Sequence, residues 1–293
     1  MYPYKLFAGL DLYTLLMAAG VIAALLFIRL QGDMRGLRAS LQNLLIIDTV
    51  LTVLAGYGSA VLFQAYYNYR ASGTFEVVST TGATFYGGLI GGAAAFIIIY
   101  FVGGYLFFPD NYHKREFRTV ADLAAACITV GHALGRLGCL MAGCCHGKLT
   151  DAWYGITMHV PHVENPVKVV PVQLFEALFL FALTAVLLFL FKRGKRYILA
   201  IYMMSYAVWR FFAEMLRGDY RGATVVKYLS PSQYVSLLIL LGGALVLFLQ
   251  MYVDAVREEK AAKAAKIAEE SSEEITEETA EETAPVEQEE DLA

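Results

Sequence analysis

Cysteines are too few, and processing signals are missing, for a secreted protein held together by disulfides. Four cysteines among 293 residues do not form a disulfide scaffold. The first apolar segment, near residues 10–28, has no basic stretch before it and no small-residue cleavage site after it. No lipidation motif is present either. We therefore expect this segment to be retained as a membrane helix.

Charged residues are scarce within the long apolar runs, which excludes a soluble protein. Hydrophobic residues make up 58% of the sequence, and the run at residues 174–191 contains Glu176 as its single charged residue. One soluble domain of this length has too small a core to bury several such runs. The composition instead predicts a membrane protein with many spans.

Seven apolar windows, each about 20 residues long, predict an all-α membrane fold with seven transmembrane helices. The windows cover residues 10–29, 43–64, 85–108, 119–141, 173–191, 197–216 and 232–253. Basic residues concentrate in the loops after the first, third and fifth windows, at residues 29–38, 114–118 and 192–196. Because such loops stay on the cytoplasmic side, we predict an outside amino terminus and a cytoplasmic carboxyl terminus.

The end of the chain differs in composition from the rest. From Asp254 onward acidic residues far outnumber basic ones, so the net charge of −4 for the whole chain arises in this region. Such acidic, low-complexity sequence cannot bury a core. We therefore predict a membrane domain at residues 1–253 and a disordered cytoplasmic tail at residues 254–293.

Polar and glycine-rich residues gather at the predicted outer ends of the helices. At about 1.5 Å per residue, Arg136 lies near the outer end of the fourth span and Arg210 lies past the midplane of the sixth. Spans that begin outside open with Tyr86 and GGLIGG, or with Gln173 and Glu176. Ionisable groups in a bilayer usually mark a substrate path or a catalytic site. Two arginines at this depth suit an anion such as a phospholipid headgroup.

Each of these features also has a simpler interpretation. Arg217 can extend to the membrane interface without any substrate, and Arg210 with Glu214 forms an i,i+4 pair of structural value alone. The glycines after Tyr86 suit close helix packing. Tyr13 and Tyr86 also suit the aromatic belt of a membrane protein.

Five motifs resemble, in the same order, those of the prolipoprotein diacylglyceryl transferase family. They are Tyr13, YGGLIGG from Tyr86, GRLG from Gly135 with the later Gly147, QLFE from Gln173, and YAVWRFFAEMLR from Tyr206. The resemblance runs from about residue 10 to residue 253. It implies a transferase in the bacterial plasma membrane that moves a diacylglyceryl group from phosphatidylglycerol to the lipobox cysteine of prolipoproteins at the outer leaflet.

The resemblance also implies roles for particular residues. Arg136 and Arg210 would hold the phosphate, Glu214 would orient Arg210, and Tyr86 has the position of the family's histidine, so these four are predicted as catalytic. The predicted substrate-binding residues are Tyr13, Gly87, Gly88, Gly138, Cys139, Cys144, Gly147, Gln173, Glu176, Tyr206 and Arg217. Predicted partners are phosphatidylglycerol, the prolipoprotein lipobox peptide and the lipid bilayer. We expect a monomer with no cofactor, no metal and no nucleic-acid partner.

The chain departs from the family pattern at several polar positions. Residues that differ in type from the pattern are Tyr86, Cys139, Ala142, Cys144 and Val170. A phenol has a reference pKa near 10, so Tyr86 needs a neighbouring cation such as Arg136 to take a proton. His132 and His146 are the other candidates for the base. The departures leave a second function open, in which a paralogue uses a different acceptor, or a non-catalytic or thiol-redox protein keeps the fold.

Three of the four cysteines lie within residues 139–145, next to His146. Their spacing fits no strong zinc signature. A disulfide between Cys139 and Cys144 or Cys145 is one alternative on an oxidising face. The others are that the thiols fill space beside the cavity, or that one of them takes part in the transfer.

Overall fold

A computed structural model describes residues 5–7, 10–73, 75–78, 82–160, 163–218 and 228–282, without the side chains of residues 5–7 and 267–282. Its described part confirms the all-α membrane fold with seven α-helices. They are α1 (Leu12–Met34), α2 (Ala39–Ser72), α3 (Phe85–Phe107), α4 (Tyr112–Ala142), α5 (Val172–Lys192), α6 (Ile198–Ala213) and α7 (Pro231–Glu282). Six of these described helices are long and apolar enough to cross a membrane.

The sixth helix is shorter than the window that predicted it. The window covers residues 197–216, whereas α6 has 16 residues and ends at Ala213. A 3-10 turn, Glu214–Leu216, follows directly. The polar residues at the end of the window therefore lie at the transition from helix to extended backbone.

Small residues allow the helices of the membrane domain to pack closely. Helix α1 packs against α4, where a Cβ added to Gly20 would lie 3.1 Å from the carbonyl oxygen of Gly131. Helix α2 packs against α3, where a Cβ on Gly56 would lie 3.2 Å from the carbonyl oxygen of Gly88. Close backbone approach of this kind is how helices associate in a bilayer, where burial of apolar surface gives no advantage over lipid.

Short β-structure lies outside the helices. Two antiparallel hairpins are formed by β1 (Lys5–Phe7) with β2 (Leu10–Asp11), and by β3 (Ile156–Met158) with β4 (Val167–Val169). The segment after α4 pairs with the second hairpin through a bridge between Leu149 and Val169. Just before it, Gly147 N donates to the carbonyl of Val170 at 2.8 Å and Lys148 N donates to that of Leu216 at 2.9 Å. These bonds connect the end of α4 to the start of α5 and the end of α6.

The chain divides into two compact units, Met1–Gly243 and Ala244–Ala293. Helix α7 begins in the first unit, and the second contains the rest of this helix as far as Glu282. Residues 283–293 of the predicted tail lie outside the described residues. The domain boundary at residue 253, the disorder of the tail and the orientation of the termini stay predictions.

Candidate functional site

A buried ion pair joins α4 and α5. Arg136 Nε lies 3.0 Å from Glu176 Oε2, and Glu176 is completely buried. Arg136 Nε also donates to His132 Nε2 at 3.2 Å, one helical turn earlier on α4. From α6, the hydroxyl of Tyr206 donates to Glu176 Oε1 at 3.0 Å. Glu176 on α5 thus holds residues from two other helices, α4 and α6, around one carboxylate.

A second buried ion pair lies at the end of α6. Arg210 Nη2 lies 2.6 Å from Glu214 Oε2 and donates to Ser232 Oγ, at the start of α7, at 2.8 Å. Ser230 Oγ donates to the other carboxylate oxygen of Glu214 at 3.1 Å. Among the described residues, none accepts a hydrogen bond from the buried Arg210 Nη1. One side of this guanidinium is therefore available to a ligand.

The two ion pairs belong to one polar cluster. Tyr206, which bonds to Glu176, lies one turn before Arg210 on α6, and residues four apart share a helix face. The charge of Arg210 also acts on His132 and on Tyr206. We call Arg136, Glu176, Tyr206, Arg210 and Glu214 the arginine cluster. It lies where α4 and α6 end and where α5 and α7 begin.

Three thiols converge beside the arginine cluster. Helix α4 ends at Ala142 and is followed by Gly143 in the left-handed conformation, and Cys145 also has a positive φ of 62°, so the chain turns sharply. The turn brings the Sγ atoms of Cys139, Cys144 and Cys145 within 4.8 Å of one another. All three side chains are partly buried, and no disulfide joins any of the four cysteines. We call these three residues the thiol cluster.

Polar groups from two other elements hold the thiol cluster in place. Gln173 Nε2 on α5 donates to the carbonyl of Cys144 at 2.6 Å. The buried Arg217 bonds to Cys145, and the charge of Arg136 acts on both Cys139 and Cys145. Hydrogen bonds from Cys139 and Cys144, together with the charge of Arg217, lower the pKa of the Cys145 thiol.

Two of the predicted glycines lie against the same clusters and leave little space for a side chain. A Cβ on Gly138 would lie 3.1 Å from Tyr13 Cδ2, so Tyr13 covers the last turn of α4. A Cβ on Gly147 would lie 2.6 Å from the carbonyl oxygen of Leu216. Both glycines therefore allow close packing around the clusters.

The structure does not join Tyr86, Gly87 or Gly88 to the arginine cluster. Tyr86 is 37% exposed at the start of α3, and no described residue hydrogen-bonds to its hydroxyl. A Cβ on Gly87 would lie 2.6 Å from Phe63 Cβ on α2, so this glycine has a packing role. Among the described residues, no arginine or lysine contacts the Tyr86 hydroxyl, so Tyr86 does not have the neighbouring cation that it needs to act as a base.

An apolar crevice opens between α6 and the first turns of α7, next to Arg210. Its volume is about 200 Å³. Its lining residues are Ala207, Val208, Phe211, Phe212, Ser236, Leu237 and Leu240. Ser236 lies one turn beyond Ser232, which accepts the hydrogen bond from Arg210. The crevice therefore begins one helical turn from the serine that bonds to Arg210.

Sequence reasoning did not foresee three contacts of this site. Glu176 pairs with Arg136, Ser232 accepts a hydrogen bond from Arg210, and Arg217 bonds to Cys145. His132, which the sequence offered as a candidate base one turn before Arg136, does contact that arginine. For the Arg136–Glu176 pair no local signal exists, because the partners lie on different helices.

Comparisons with known proteins agree with the resemblance in the sequence. The family model described as prolipoprotein diacylglyceryl transferase matches residues 5–249. The chain is 31% identical to phosphatidylglycerol–prolipoprotein diacylglyceryl transferase 2 of Clostridium perfringens, over 81% of this chain and 91% of the relative. It is 27% identical to the corresponding transferase of Clostridium tetani, over 80% and 90% of the two chains. For the transferase of Clostridioides difficile the identity is 29%, over 80% and 89%.

Proposed function

Because the chain belongs to the prolipoprotein diacylglyceryl transferase family, we propose that it transfers the diacylglyceryl group of phosphatidylglycerol to the lipobox cysteine of prolipoproteins. It is a multi-pass membrane transferase of a bacterial type. The observation that carries the proposal for the site is the arginine cluster, in which two guanidinium groups from different helices each form a buried ion pair, with Tyr206 of the first network one helical turn from Arg210 of the second.

The reaction needs positive charge where the leaving group forms. The acceptor sulfur bonds to the glycerol carbon of the lipid, the carbon–oxygen bond breaks, and glycerol phosphate leaves with the electron pair. Hydrogen-bond donors that are already in place beside the departing oxygen stabilise the negative charge of the leaving group without any rearrangement of the protein. Arg210 meets this requirement, because Ser232 and Glu214 hold its Nη2 while its Nη1 stays free among the described residues.

Arg136 supplies the second guanidinium. Its described contacts, with Glu176 and His132, use Nε alone, which leaves both Nη groups for the phosphate. An arginine fork can bind two phosphate oxygens at once. Glu176 and Tyr206 then position Arg136 rather than bind the lipid themselves. The apolar crevice beside Arg210 suits part of an acyl chain of the same lipid.

The orientation proposed from the loops places this site at the outer leaflet. Basic residues concentrate in the loops at the end of the bundle opposite the arginine cluster, and such loops stay in the cytoplasm. A prolipoprotein that has been exported can reach a site on that side of the membrane. We propose phosphatidylglycerol, the lipobox peptide and the bilayer as the partners of a monomeric enzyme.

A reconstituted assay tests the proposed function. The purified protein is placed in vesicles that contain phosphatidylglycerol and incubated with a lipobox peptide. We expect mass spectrometry to show a peptide heavier by one diacylglyceryl group, together with released glycerol phosphate. Vesicles of phosphatidylethanolamine alone, and a peptide with serine in place of the lipobox cysteine, serve as controls. An unmodified peptide in the presence of phosphatidylglycerol would contradict the proposal.

Tyr86→Phe tests whether the tyrosine in the histidine position is the base. A general base contributes roughly 10²–10⁴-fold to a rate. Because the Tyr86 hydroxyl contacts no described charge, we expect the variant to keep its transfer rate within about threefold, far below that contribution. Tyr105→Phe, on the exposed surface of the same helix, is the matched control. A loss of 100-fold or more in Tyr86→Phe alone would restore Tyr86 as the base.

A further inference from the structure

The thiol cluster has the geometry of a metal site. Because Zn–S bonds are about 2.3 Å long, two thiolates at tetrahedral positions around one zinc lie about 3.8 Å apart. The three Sγ atoms lie within 4.8 Å of one another, so rotations of the side chains suffice to close around one ion. A disulfide would need two sulfur atoms about 2.05 Å apart and would leave the third unused.

The surroundings of the thiol cluster favour an anionic site. Three thiolates around a divalent cation carry one net negative charge. Arg217, which bonds to Cys145, and Arg136, whose charge acts on Cys139 and Cys145, offset it. Thiolates select soft or borderline cations such as zinc over magnesium or calcium.

The backbone around the cluster is fixed before any ion binds. Gln173 donates to the carbonyl of Cys144, and Gly147 N donates to the carbonyl of Val170 before α5. Residues held in the left-handed conformation, as Cys145 is, often occur at functional sites because the surroundings enforce the strain. Contacts of this kind around the ligands raise metal affinity by fixing their orientation.

We propose that Cys139, Cys144 and Cys145 bind one zinc ion and leave its fourth position for the acceptor thiol. Three protein ligands with one open position are the pattern of a catalytic zinc site. This inference rests on the proposed function for the identity of the fourth ligand. It replaces the sequence-based expectation of no metal, and it gives a physical reason for three cysteines in the signature region.

With zinc at the thiol cluster, the reaction does not need Tyr86 as a base. Coordination lowers the pKa of a thiol, so the acceptor cysteine loses its proton to water when it binds. The lone pair of the bound sulfur then attacks the glycerol carbon, and the new carbon–sulfur bond replaces the carbon–oxygen bond. The electron pair of the broken bond leaves on the glycerol phosphate, beside Arg210.

Metal titration of the full-length protein tests the inference. The reduced, metal-stripped protein in detergent is titrated with Zn²⁺ against a chromophoric chelator, and with Co²⁺ for absorption spectra. We expect one ion per chain and a sulfur-to-cobalt charge-transfer band. Cys139→Ser, Cys144→Ser and Cys145→Ser should each weaken binding at least about tenfold. Cys127→Ser is the matched control, since Cys127 lies on the same helix but bonds to Ala24 outside the cluster.

Addition of the lipobox peptide tests the open position. We expect the charge-transfer intensity of the Co²⁺ protein to rise by about one third, from three thiolates to four. A peptide with serine in place of cysteine should leave the spectrum unchanged. Equal binding by the three serine variants and Cys127→Ser, or a spectrum that the thiol peptide does not alter, would overturn the inference.

The two proposals fail in different ways. Full transfer activity by the metal-stripped protein would overturn the zinc site and leave the proposed function standing. Metal binding by the thiol cluster without any transfer from phosphatidylglycerol would overturn the proposed function and leave the three-thiolate site standing.

Discussion

Replacing Arg210 by alanine is expected to reduce diacylglyceryl transfer by at least about 100-fold, the loss typical of removing one preorganised donor to a developing anion. Arg210→Lys should recover only a small part of this loss, because an ammonium keeps the charge but not the planar fork. The vesicle assay with phosphatidylglycerol measures both variants. Arg193→Ala, which removes an arginine at the other end of the helix bundle, is the control.

A double variant separates this role from a structural one. Arg210→Ala leaves Glu214 buried without its partner, which by itself destabilises a protein. Arg210→Ala with Glu214→Gln removes both charges. If Arg210 contacts the phosphate, the double variant stays inactive although its thermal stability in detergent recovers. Recovery of transfer together with stability would show that the pair is structural.

Glu176→Ala is expected to have the largest effect on stability. It leaves Arg136 charged in a buried place and removes the acceptor of Tyr206. Removing one partner of a buried ion pair lowers the free energy of unfolding by about 3–5 kcal/mol. We expect a clear fall in the unfolding temperature in detergent and a loss of transfer, since Arg136 is no longer positioned.

Two further variants make the Glu176 experiment specific. Glu164→Ala removes a carboxylate from an exposed loop and should change neither stability nor transfer. Tyr206→Phe removes one hydrogen bond to Glu176 and keeps the ion pair, so it should cost only about 1 kcal/mol. A Glu176→Ala variant as stable as Glu164→Ala would contradict the pairing with Arg136.

The sequence was sufficient for the helices but not for the pairing of charged groups between them. Apolar windows of about 20 residues follow from the thickness of a bilayer, so the positions of α1 to α5 were predictable, although α2 ends eight residues after its window and α4 begins seven residues before its window. The i,i+4 pair of Arg210 and Glu214 is local and was predictable too. The partner of Arg136 depends on how α4 and α5 rotate against each other, which packing decides.

The residues at the start of α3 show the same limit. The motif from Tyr86 resembles the family pattern, and this placed Tyr86 among the predicted catalytic residues. Its distance from the charged groups depends on the close packing of α3 against α2, where Gly87 lies next to Phe63. Motif order records which residues matter to a family, but it does not give their mutual contacts in one chain.

The short length of α6 has a consequence for the membrane itself. Its 16 residues rise about 24 Å at 1.5 Å per residue, less than the roughly 30 Å of a hydrocarbon core. A short span of this kind is accommodated when the surrounding lipid thins locally. Water and headgroups then descend to the depth of Arg210. In the proposed reaction, the phosphodiester and the acceptor peptide can then meet there without either being drawn into hydrocarbon.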